Sequence, residues 1–190
     1  MCGRYYIEID DRELSDICNA VQQRQVEQNE QLEIKLNGEI FPANIVPIQT
    51  GRDLYQPMKW GFAGFDGGLL INARSETALT KTTFRESMLN RRCLIPASGY
   101  YEWLKDGSRK TKYRFYVPDR PLYLAGCYRQ EKDMPVCSFV ILTREASGGA
   151  ETIHSRMPVI IPRDKIGRWF SSEIDIEGLH DEKLLFEVAG

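Results

Sequence analysis

The chain has 190 residues, a formal net charge of −2 at pH 7 and a sequence pI of about 5.8, and 42% of its residues are hydrophobic. This length suits one sizeable domain over residues 1–190, and the composition is typical of a soluble globular protein. Because no apolar run could span a membrane and no secretory signal is visible, we expect a cytoplasmic location. The acidic balance argues against indiscriminate binding to nucleic acid.

The five cysteines are an odd and widely spaced set without a CxxC pair, and the chain has only two histidines. This pattern argues against a structural zinc site, and we expect neither a metal nor another cofactor. Reduced thiols are the simplest interpretation. Apolar neighbours predict that four of the cysteines are small core residues: Cys18, Cys93, Cys127 and Cys137.

The first third of the chain predicts one strand and one helix. The strand covers residues 4–9, and Asp10 or Asp11 can cap the helix that follows. Apolar residues at i, i+3, i+4 and i+7 give this helix one buried face, formed by Leu14, Ile17, Cys18 and Val21. Residues 22–33 are rich in Gln and Glu, which indicates a frayed helix end or an exposed loop.

Short extended segments separate this helix from a second one. They are predicted over residues 41–49, 57–62 and 69–72, with a tight turn at Gly67-Gly68. The second helix is predicted over residues 83–91. Its expected inward face consists of Phe84, Met88 and Leu89.

The second half of the chain is mostly β in pattern. Asp106-Gly107 predicts a hairpin turn, residues 162–169 a short helix, and residues 173–190 an acidic tail. The whole pattern indicates an α+β fold with a mostly antiparallel curled sheet or barrel-like β core and a few short helices. The predicted strands of this half cover residues 93–95, 100–104, 113–117, 122–128, 136–143 and 159–161.

Cys2 is the most informative single residue. Removal of Met1, which a small second residue generally permits, would leave an α-amine and a thiol on adjacent carbons. With reference pKa values of about 7.7–8.0 and about 8.5, both groups are partly deprotonated near neutral pH. Such a 1,2-aminothiol can condense with an aldehyde and close a thiazolidine ring. Taken alone, however, Cys2 is more simply an early strand residue.

Four short segments place polar or ionisable groups at or within apolar strands, and each is weak evidence alone. Asn72 suits a turn or cap, Glu102 a solvent-facing strand position, and His154 a core or surface histidine. The segments are Cys2-Gly3-Arg4-Tyr5, Ile71-Asn72-Ala73-Arg74-Ser75-Glu76, Gly99-Tyr100-Tyr101-Glu102-Trp103 and His154-Ser155-Arg156-Met157-Pro158.

Together, the order and spacing of these segments resemble the SRAP family, the SOS-response-associated peptidases whose members crosslink to abasic sites in single-stranded DNA. The resemblance extends from Cys2 to about Trp169. One departure is Ser155, because family members often carry an acidic residue after the histidine. Further matching segments cover residues 57–62, 91–97, 122–126 and 141–143.

The resemblance implies a covalent reaction at Cys2. Its α-amine would form a Schiff base with the C1′ aldehyde of an abasic sugar, and its thiolate would then close a thiazolidine. Asn72 would hold the sugar hydroxyl or the amine. Burial would raise the pKa of Glu102, so that this carboxyl could transfer protons during ring opening, ring closure and reversal of the crosslink. His154 would assist proton transfer at the Schiff base.

The resemblance also implies a DNA-contacting surface. Arg4, Arg74 and Arg156 match positions that grip phosphates, although each could instead form a surface ion pair. Trp60 matches a region that presents apolar groups to DNA, and the alternative is a core tryptophan. The remaining residues expected at the DNA are Gly3, which lets the backbone approach closely, Ser75, and Thr143, which shapes the pocket.

The implied partner is single-stranded DNA that contains an abasic site, bound by a monomer that is associated with the nucleoid while on DNA. Two other hypotheses remain open. The same residues would suit a cysteine hydrolase with an N-terminal nucleophile that cleaves peptides or amides without DNA. The chain could also be a non-catalytic module that binds single strands through salt-sensitive phosphate contacts.

Overall fold

A computed structural model describes residues 2–29, 31–171, 176 and 183–189 of the chain. The helices are α1 (Arg12–Glu27), α2 (Ser75–Ala78), α3 (Thr82–Asn90) and α4 (Ile166–Phe170), with 3-10 turns at Ala150–Thr152 and Arg163–Lys165. The strands are β1 (Arg4–Ile7), β2 (Gly38–Ile40), β3 (Ile45–Gly51), β4 (Leu54–Trp60), β5 (Phe62–Ala63), β6 (Leu69–Leu70), β7 (Asn72–Arg74), β8 (Arg92–Ala97), β9 (Gly99–Asp106), β10 (Arg109–Tyr116), β11 (Leu122–Arg129), β12 (Ser138–Glu145), β13 (Arg156–Pro158) and β14 (Leu185–Val188).

Two sheets form the body of the protein. The first is antiparallel and has the order β14-β10-β9-β1-β2. The second has the order β11-β8-β3-β4-β12-β13, and β11 also pairs with β12, which closes these strands into a ring. β5 and β6 form a separate small hairpin. The α+β architecture with a curled, mostly antiparallel core and a few short helices is confirmed.

The parallel pairing of β7 with β12 fixes the positions of Asn72 and Arg74. The β7 register Ile141↔Asn72 and Thr143↔Arg74 places the start of β7 beside the middle of β12. β12 also pairs in parallel with the end of β4. Residues that are distant in the chain therefore meet along one strand of the ring.

The main hydrophobic cluster draws side chains from both sheets and holds them together. It includes Cys2 and Tyr5 from the N-terminus, Trp60 from β4, and Tyr100 and Phe115 from the other sheet. A second cluster packs α3 and α4 against the ring and includes Met88 and Trp169. The N-terminal residues thus belong to the core and not to a loose arm.

Helix α1 confirms the predicted cap and buried face. The Asp11 side chain accepts a hydrogen bond from the Leu14 N–H at 3.0 Å, and all four predicted apolar residues are buried. The interpretation of residues 22–27 as frayed or looped is wrong, because the helix continues to Glu27. Gln and Glu favour helices, and the Gln23 amide donates to the Glu27 carboxylate at 3.1 Å one turn later.

The structure corrects two further core predictions. Leu89 is 48% exposed, and the buried face of α3 is formed by Phe84, Ser87 and Met88, because the helical period turns Leu89 away from that face. Cys137 is only partly buried, just before β12 begins, although the other three cysteines expected in the core are buried.

Several predicted strands differ in extent or pairing. Residues 159–161 form backbone hydrogen bonds from Ala125 N to Val159 O and from Val159 N to Leu142 O, at 2.8 and 2.9 Å. They therefore lie between β11 and β12, with one isolated bridge at Ile160. The turn at Asp106-Gly107 is confirmed, with Gly107 at a φ of +57°.

Part of the predicted acidic tail is a strand. Residues 185–188 form β14, which pairs with β10 in the register Phe115↔Phe186. The ring of Phe186 lies 5.3 Å from that of Phe115, so the tail contributes to packing. Met1, His180 and most of residues 173–182 lie outside the described residues. Among the helices that the structure does describe, none is long and apolar enough to cross a membrane.

Trp60 is a core residue, so a direct contact with DNA is wrong. Its side chain is fully buried, and its ring centroid lies 5.3 Å from that of Tyr5 and 6.3 Å from that of Phe139. The indole Nε1 donates to the Ile71 carbonyl oxygen at 3.0 Å. Trp60 therefore supports the strand that leads into Asn72.

We expect Trp60→Ala to lower the free energy of unfolding by about 3–5 kcal/mol, because it removes a large buried ring and leaves a cavity. Trp103→Ala, at a partly exposed position, is the control and should cost clearly less. Urea unfolding followed by circular dichroism measures both. Equal losses in the two variants would contradict the assignment of Trp60 to the core.

Candidate active site

Strand pairing carries Cys2 into the interior. Cys2 and Gly3 lead into β1, whose register with β9 is Arg4↔Tyr101 and Tyr5↔Tyr100. The antiparallel direction of this pair takes the N-terminal end of the chain toward Glu102. Cys2 is fully buried, and its Sγ lies 3.8 Å from the Arg4 carbonyl oxygen, as a weak donor.

Asn72 holds the backbone of Cys2. Its Nδ2 donates to the Cys2 carbonyl oxygen at 2.9 Å, across 70 positions of sequence. Its Oδ1 is buried and has no hydrogen-bond partner among the described residues. Asn72 therefore anchors Cys2 with its donor and keeps an acceptor for another group beside the cysteine.

Glu102 is a buried carboxyl, only 4% exposed, on β9. Burial raises its pKa above the ordinary value of 4.5, and the positive charge that His154 can carry opposes this rise. Burial also raises the pKa of the Cys2 thiol, and the negative charge of Glu102 raises it further. Glu102 is thus electrostatically linked to both Cys2 and His154, as expected for a proton-transfer group.

His154 is oriented by the backbone of the next strand. Its Nδ1 accepts a hydrogen bond from the Arg156 N–H at 3.0 Å. The same Nδ1 lies 3.2 Å from the Arg156 carbonyl oxygen, so the backbone of Arg156 fixes the orientation of the ring. His154 is half-buried.

Arg156 is held by an acidic side chain next to the site. Its Nη1 and Nη2 donate to the two carboxylate oxygens of Glu76 at 2.5 and 3.0 Å. Nη2 also donates to the Thr143 carbonyl oxygen at 2.6 Å. The hydrogen bond from Arg156 lowers the pKa of Glu76.

Arg4 has a comparable environment on the other sheet. Its Nη1 donates to Glu39 at 2.6 Å, and the same carboxylate accepts a hydrogen bond from Lys112. The guanidinium carbon lies 3.7 Å from the centroid of the Phe41 ring and 5.5 Å from that of a Trp103 ring. The guanidinium therefore lies against two aromatic side chains.

The predicted DNA contacts fall into three groups. Arg4 and Arg156 are ion-paired and partly buried, whereas Arg74 is exposed. Gly3 and Ser75 are partly exposed, and Ser75 begins α2. Thr143 is fully buried, so it cannot form part of an exposed DNA surface. Its carbonyl oxygen accepts a hydrogen bond from Arg156. In this last respect the prediction is wrong.

Sequence reasoning missed several groups around the site. Glu76 and Trp103 lie within the segments that it singled out, but nothing in the pattern marked them. Glu39 and Phe41 lie outside the segments that the sequence analysis singled out. Only strand pairing brings them to Arg4. The buried hydroxyls of Tyr5 and Tyr100, directly opposite each other on β1 and β9, have no hydrogen-bond partner among the described residues.

The structure thus brings together the four predicted catalytic residues: Asn72 contacts Cys2, and Glu102 is coupled to Cys2 and to His154. Across the described ranges, His, Cys, Asp and Glu side chains form no group of three that could hold a metal ion. The site is built from a thiol, an amide, a carboxyl and an imidazole.

The structure thus has a buried cysteine at position 2 that is anchored by an asparagine, with a carboxyl and a histidine nearby, on a curled β core. Comparison with family models identifies the family to which this arrangement belongs. It belongs to the SOS response associated peptidase (SRAP) family, whose model matches residues 1–187.

Curated relatives share this similarity. The chain is 32% identical over 143 residues to the abasic site processing protein YedK of Escherichia coli K12, covering 71% of this chain and 64% of YedK. It is 34% identical over 110 residues to the abasic site processing protein YoaM of Bacillus subtilis, covering 55% and 48%. The chain therefore spans about half to two thirds of the length of these two relatives. For YoqW of B. subtilis, also an abasic site processing protein, identity is 28% over 191 residues, covering 90% and 80%.

Solved structures share the fold. An X-ray structure of a Bordetella bronchiseptica protein matches with a TM-score of 0.77 and 20% identity, over 100% of both chains. A Bacteroides thetaiotaomicron protein matches with a TM-score of 0.71 and 24% identity, over 88% of both chains. These likenesses confirm the arrangement of the sheets.

The opposite pKa shifts of two carboxyls give a prediction for stability. The raised pKa of Glu102 means that its ionised form disfavours folding, at a cost that is present above the folded pKa and absent below 4.5. The lowered pKa of Glu76 means that its ionised form favours folding, a contribution that is lost as pH falls through its folded pKa.

We therefore expect Glu102→Gln to raise Tm at pH 8 and Glu76→Gln to lower it, with about 2–4 °C for each kcal/mol in a chain of this size. The Glu76 effect should be the smaller, because that side chain is 42% exposed. Both differences should shrink toward pH 4. Scanning calorimetry at the two pH values provides the measurement, and a lower Tm for Glu102→Gln at pH 8 would contradict the assignment.

Proposed function

We propose that this protein captures abasic sites in single-stranded DNA as a covalent thiazolidine at Cys2, formed after Met1 has been removed, and thereby shields the lesion. The observation that carries the proposal is the burial of Cys2 between its anchor Asn72 and the carboxyl of Glu102, which His154 in turn influences. The names of the relatives YedK, YoaM and YoqW, all abasic site processing proteins, support it.

The proposed reaction has two bond-forming steps. The ring-opened abasic sugar presents an aldehyde at C1′. The α-amine of Cys2 adds to this carbon and water leaves, which gives an imine. The Cys2 sulfur then bonds to C1′ while the thiol proton moves to the imine nitrogen, so that a five-membered ring of S, C1′, N, Cα and Cβ closes.

The raised thiol pKa sets the order of these steps. A buried thiol next to a carboxylate is mostly protonated at neutral pH and is a poor first nucleophile. The amine therefore reacts first. The cationic imine that results lies next to the sulfur, favours thiolate, and makes the second step intramolecular.

The neighbouring side chains transfer protons during these steps. Glu102, with its raised pKa, can give a proton to the departing hydroxyl, and in the reverse reaction it can take a proton from the water that adds to the imine. His154 can act at the Schiff base. The free Oδ1 of Asn72 can accept a hydrogen bond from the amine or a sugar hydroxyl.

The DNA strand would lie across Arg4, Arg74 and Arg156, with Gly3 and Ser75 at the lesion. Exposed aromatic rings, and not Trp60, would stack on bases. Phe41 is 44% exposed and Phe65 fully exposed, and Trp103 is partly exposed beside Arg4. Base stacking of this kind contributes about 1–3 kcal/mol per base. A single chain supplies all of these groups, so we propose a monomer.

The site suits an aldehyde better than an amide. An N-terminal-nucleophile hydrolase needs an activated thiolate, whereas burial disfavours the thiolate here. Hydrolysis of small amides also gives no role to the arginines beside the site. Self-processing that removes Met1 remains part of the proposal, because only a free α-amine can form the imine.

We expect Cys2→Ala to abolish the crosslink to an oligonucleotide with one abasic site, since this variant lacks the sulfur that closes the ring. Wild-type protein should give a band that resists denaturant, with the summed mass of protein and DNA minus one water. Denaturing gels and intact-mass spectrometry provide the measurement. Protein that keeps Met1 is the control and should form no such adduct, and a heat-stable adduct with Cys2→Ala would refute the role of Cys2.

Glu102→Gln should slow release of the bound strand by about 10²-fold or more, because the variant cannot exchange a proton with the opening ring. The measurement is transfer of preformed crosslink to excess competitor DNA, followed over time on a denaturing gel. Glu86→Gln, at an exposed position on α3, is the matched control. Equal release rates for the two variants would remove Glu102 from the mechanism.

A further inference from the structure

Each of the two ion-paired arginines at the site is held by one carboxylate. We propose that Glu39 and Glu76 occupy, in the protein without DNA, the places that two backbone phosphates take in the complex. The two carboxylates thereby weaken binding to undamaged single strands. This inference rests on the proposed function, because it takes Arg4, Arg74 and Arg156 as phosphate contacts.

The carboxylate of Glu76 binds the guanidinium of Arg156 in the way that a phosphate would. Both of its oxygens accept hydrogen bonds from Arg156, at 2.5 and 3.0 Å, which is the two-pronged arrangement that guanidinium also forms with phosphate. The charge of Arg74 also lowers the pKa of Glu76. One carboxylate therefore pairs with Arg156 and also feels the charge of Arg74, two of the three cations expected at the DNA.

Glu39 forms a similar ion pair with Arg4, the third of these cations. It accepts a hydrogen bond from Arg4 at 2.6 Å and another from Lys112, and the Lys112 bond is the main reason that its pKa is lowered. Glu39 is 34% exposed and Glu76 is 42% exposed, whereas Arg4 and Arg156 are 25% and 12% exposed. Solvent, and therefore an incoming strand, reaches each pair from the side of the carboxylate.

The arginines are kept in place by contacts that do not involve the carboxylates. Arg156 also donates to the Thr143 carbonyl oxygen at 2.6 Å, and Arg4 lies against the rings of Phe41 and Trp103. A phosphate can therefore replace the carboxylate without displacing the arginine. The two pairs differ in this respect from Arg12–Asp16, whose side chains are 96% and 72% exposed.

Competition of this kind lowers affinity for every strand equally, since phosphates carry no information on damage. Undamaged DNA, held only by phosphate contacts and stacking, then dissociates readily. A strand with an aldehyde is retained because the covalent bond does not depend on the strength of the ion pairs. Because of the two carboxylates, damaged and undamaged strands are thus distinguished by the covalent reaction at Cys2 and not by the initial non-covalent binding.

The test measures non-covalent binding of an undamaged oligo(dT) of about 15 nucleotides, a length within the usual footprint of single-strand binders. Fluorescence anisotropy at several salt concentrations gives the affinity and its salt dependence. The variants are Glu39→Gln, Glu76→Gln and the control Glu86→Gln, which removes the same charge from the Arg91–Glu86 pair on α3. Thermal unfolding verifies that all of them are folded.

We expect Glu39→Gln and Glu76→Gln each to bind about two- to fivefold more tightly than wild type at low salt, since loss of a partly exposed competing pair is a modest effect. Each should also steepen the plot of log affinity against log salt by about 0.7, the contribution of one more phosphate contact to a single strand. The control Glu86→Gln should change both the affinity and the salt slope by less.

Binding by Glu39→Gln and Glu76→Gln that is no tighter than that of Glu86→Gln, or a salt slope that is unchanged, would overturn the proposal. A merely structural role of the two glutamates would weaken binding and leave the slope as it is. Because the probe contains no aldehyde, the result stands apart from the covalent reaction, which is tested separately with an abasic strand.

Discussion

The site depends on one partly buried hydrogen bond that links the start of the chain to a residue 70 positions later. Asn72 donates to the carbonyl oxygen of Cys2 at 2.9 Å, and β1 pairs with β9 immediately afterwards. An N-terminus usually moves freely, because few contacts hold it. Here the hydrogen bond and the strand pairing remove that freedom, so the amine and sulfur that we propose to react are already positioned before a substrate arrives.

The burial of this region also changes the pKa values of Cys2 and Glu102. Cys2 and Glu102 are buried next to each other, and burial is the main cause of the raised pKa of both. A folded protein gains nothing in stability from an ionised carboxyl in such a place. The proposed reaction gives this carboxyl a role, since a carboxyl that holds its proton more tightly is a better donor near neutral pH.

The charges around the site explain how a protein with a net charge of −2 can be proposed to bind DNA. Its cations near Cys2 are neutralised locally, by Glu39 on one sheet and by Glu76 beside the other. Net charge therefore says little about this surface. In the proposed complex, affinity depends on whether a phosphate can take the place of a carboxylate without moving the arginine behind it.

The sequence by itself determined the family and the kind of fold, and it singled out Cys2, Asn72, Glu102 and His154, because short motifs and alternating apolar patterns are local features of the chain. It also determined the cap of α1, since Asp11 and Leu14 are three positions apart. Only the tertiary structure decided that Trp60 and Thr143 are buried, that Leu89 is exposed, and that Glu39 and Glu76 hold Arg4 and Arg156. Burial and ion pairing at these positions depend on partners that lie 11–80 residues away in the chain, and no local pattern records which strands will pair.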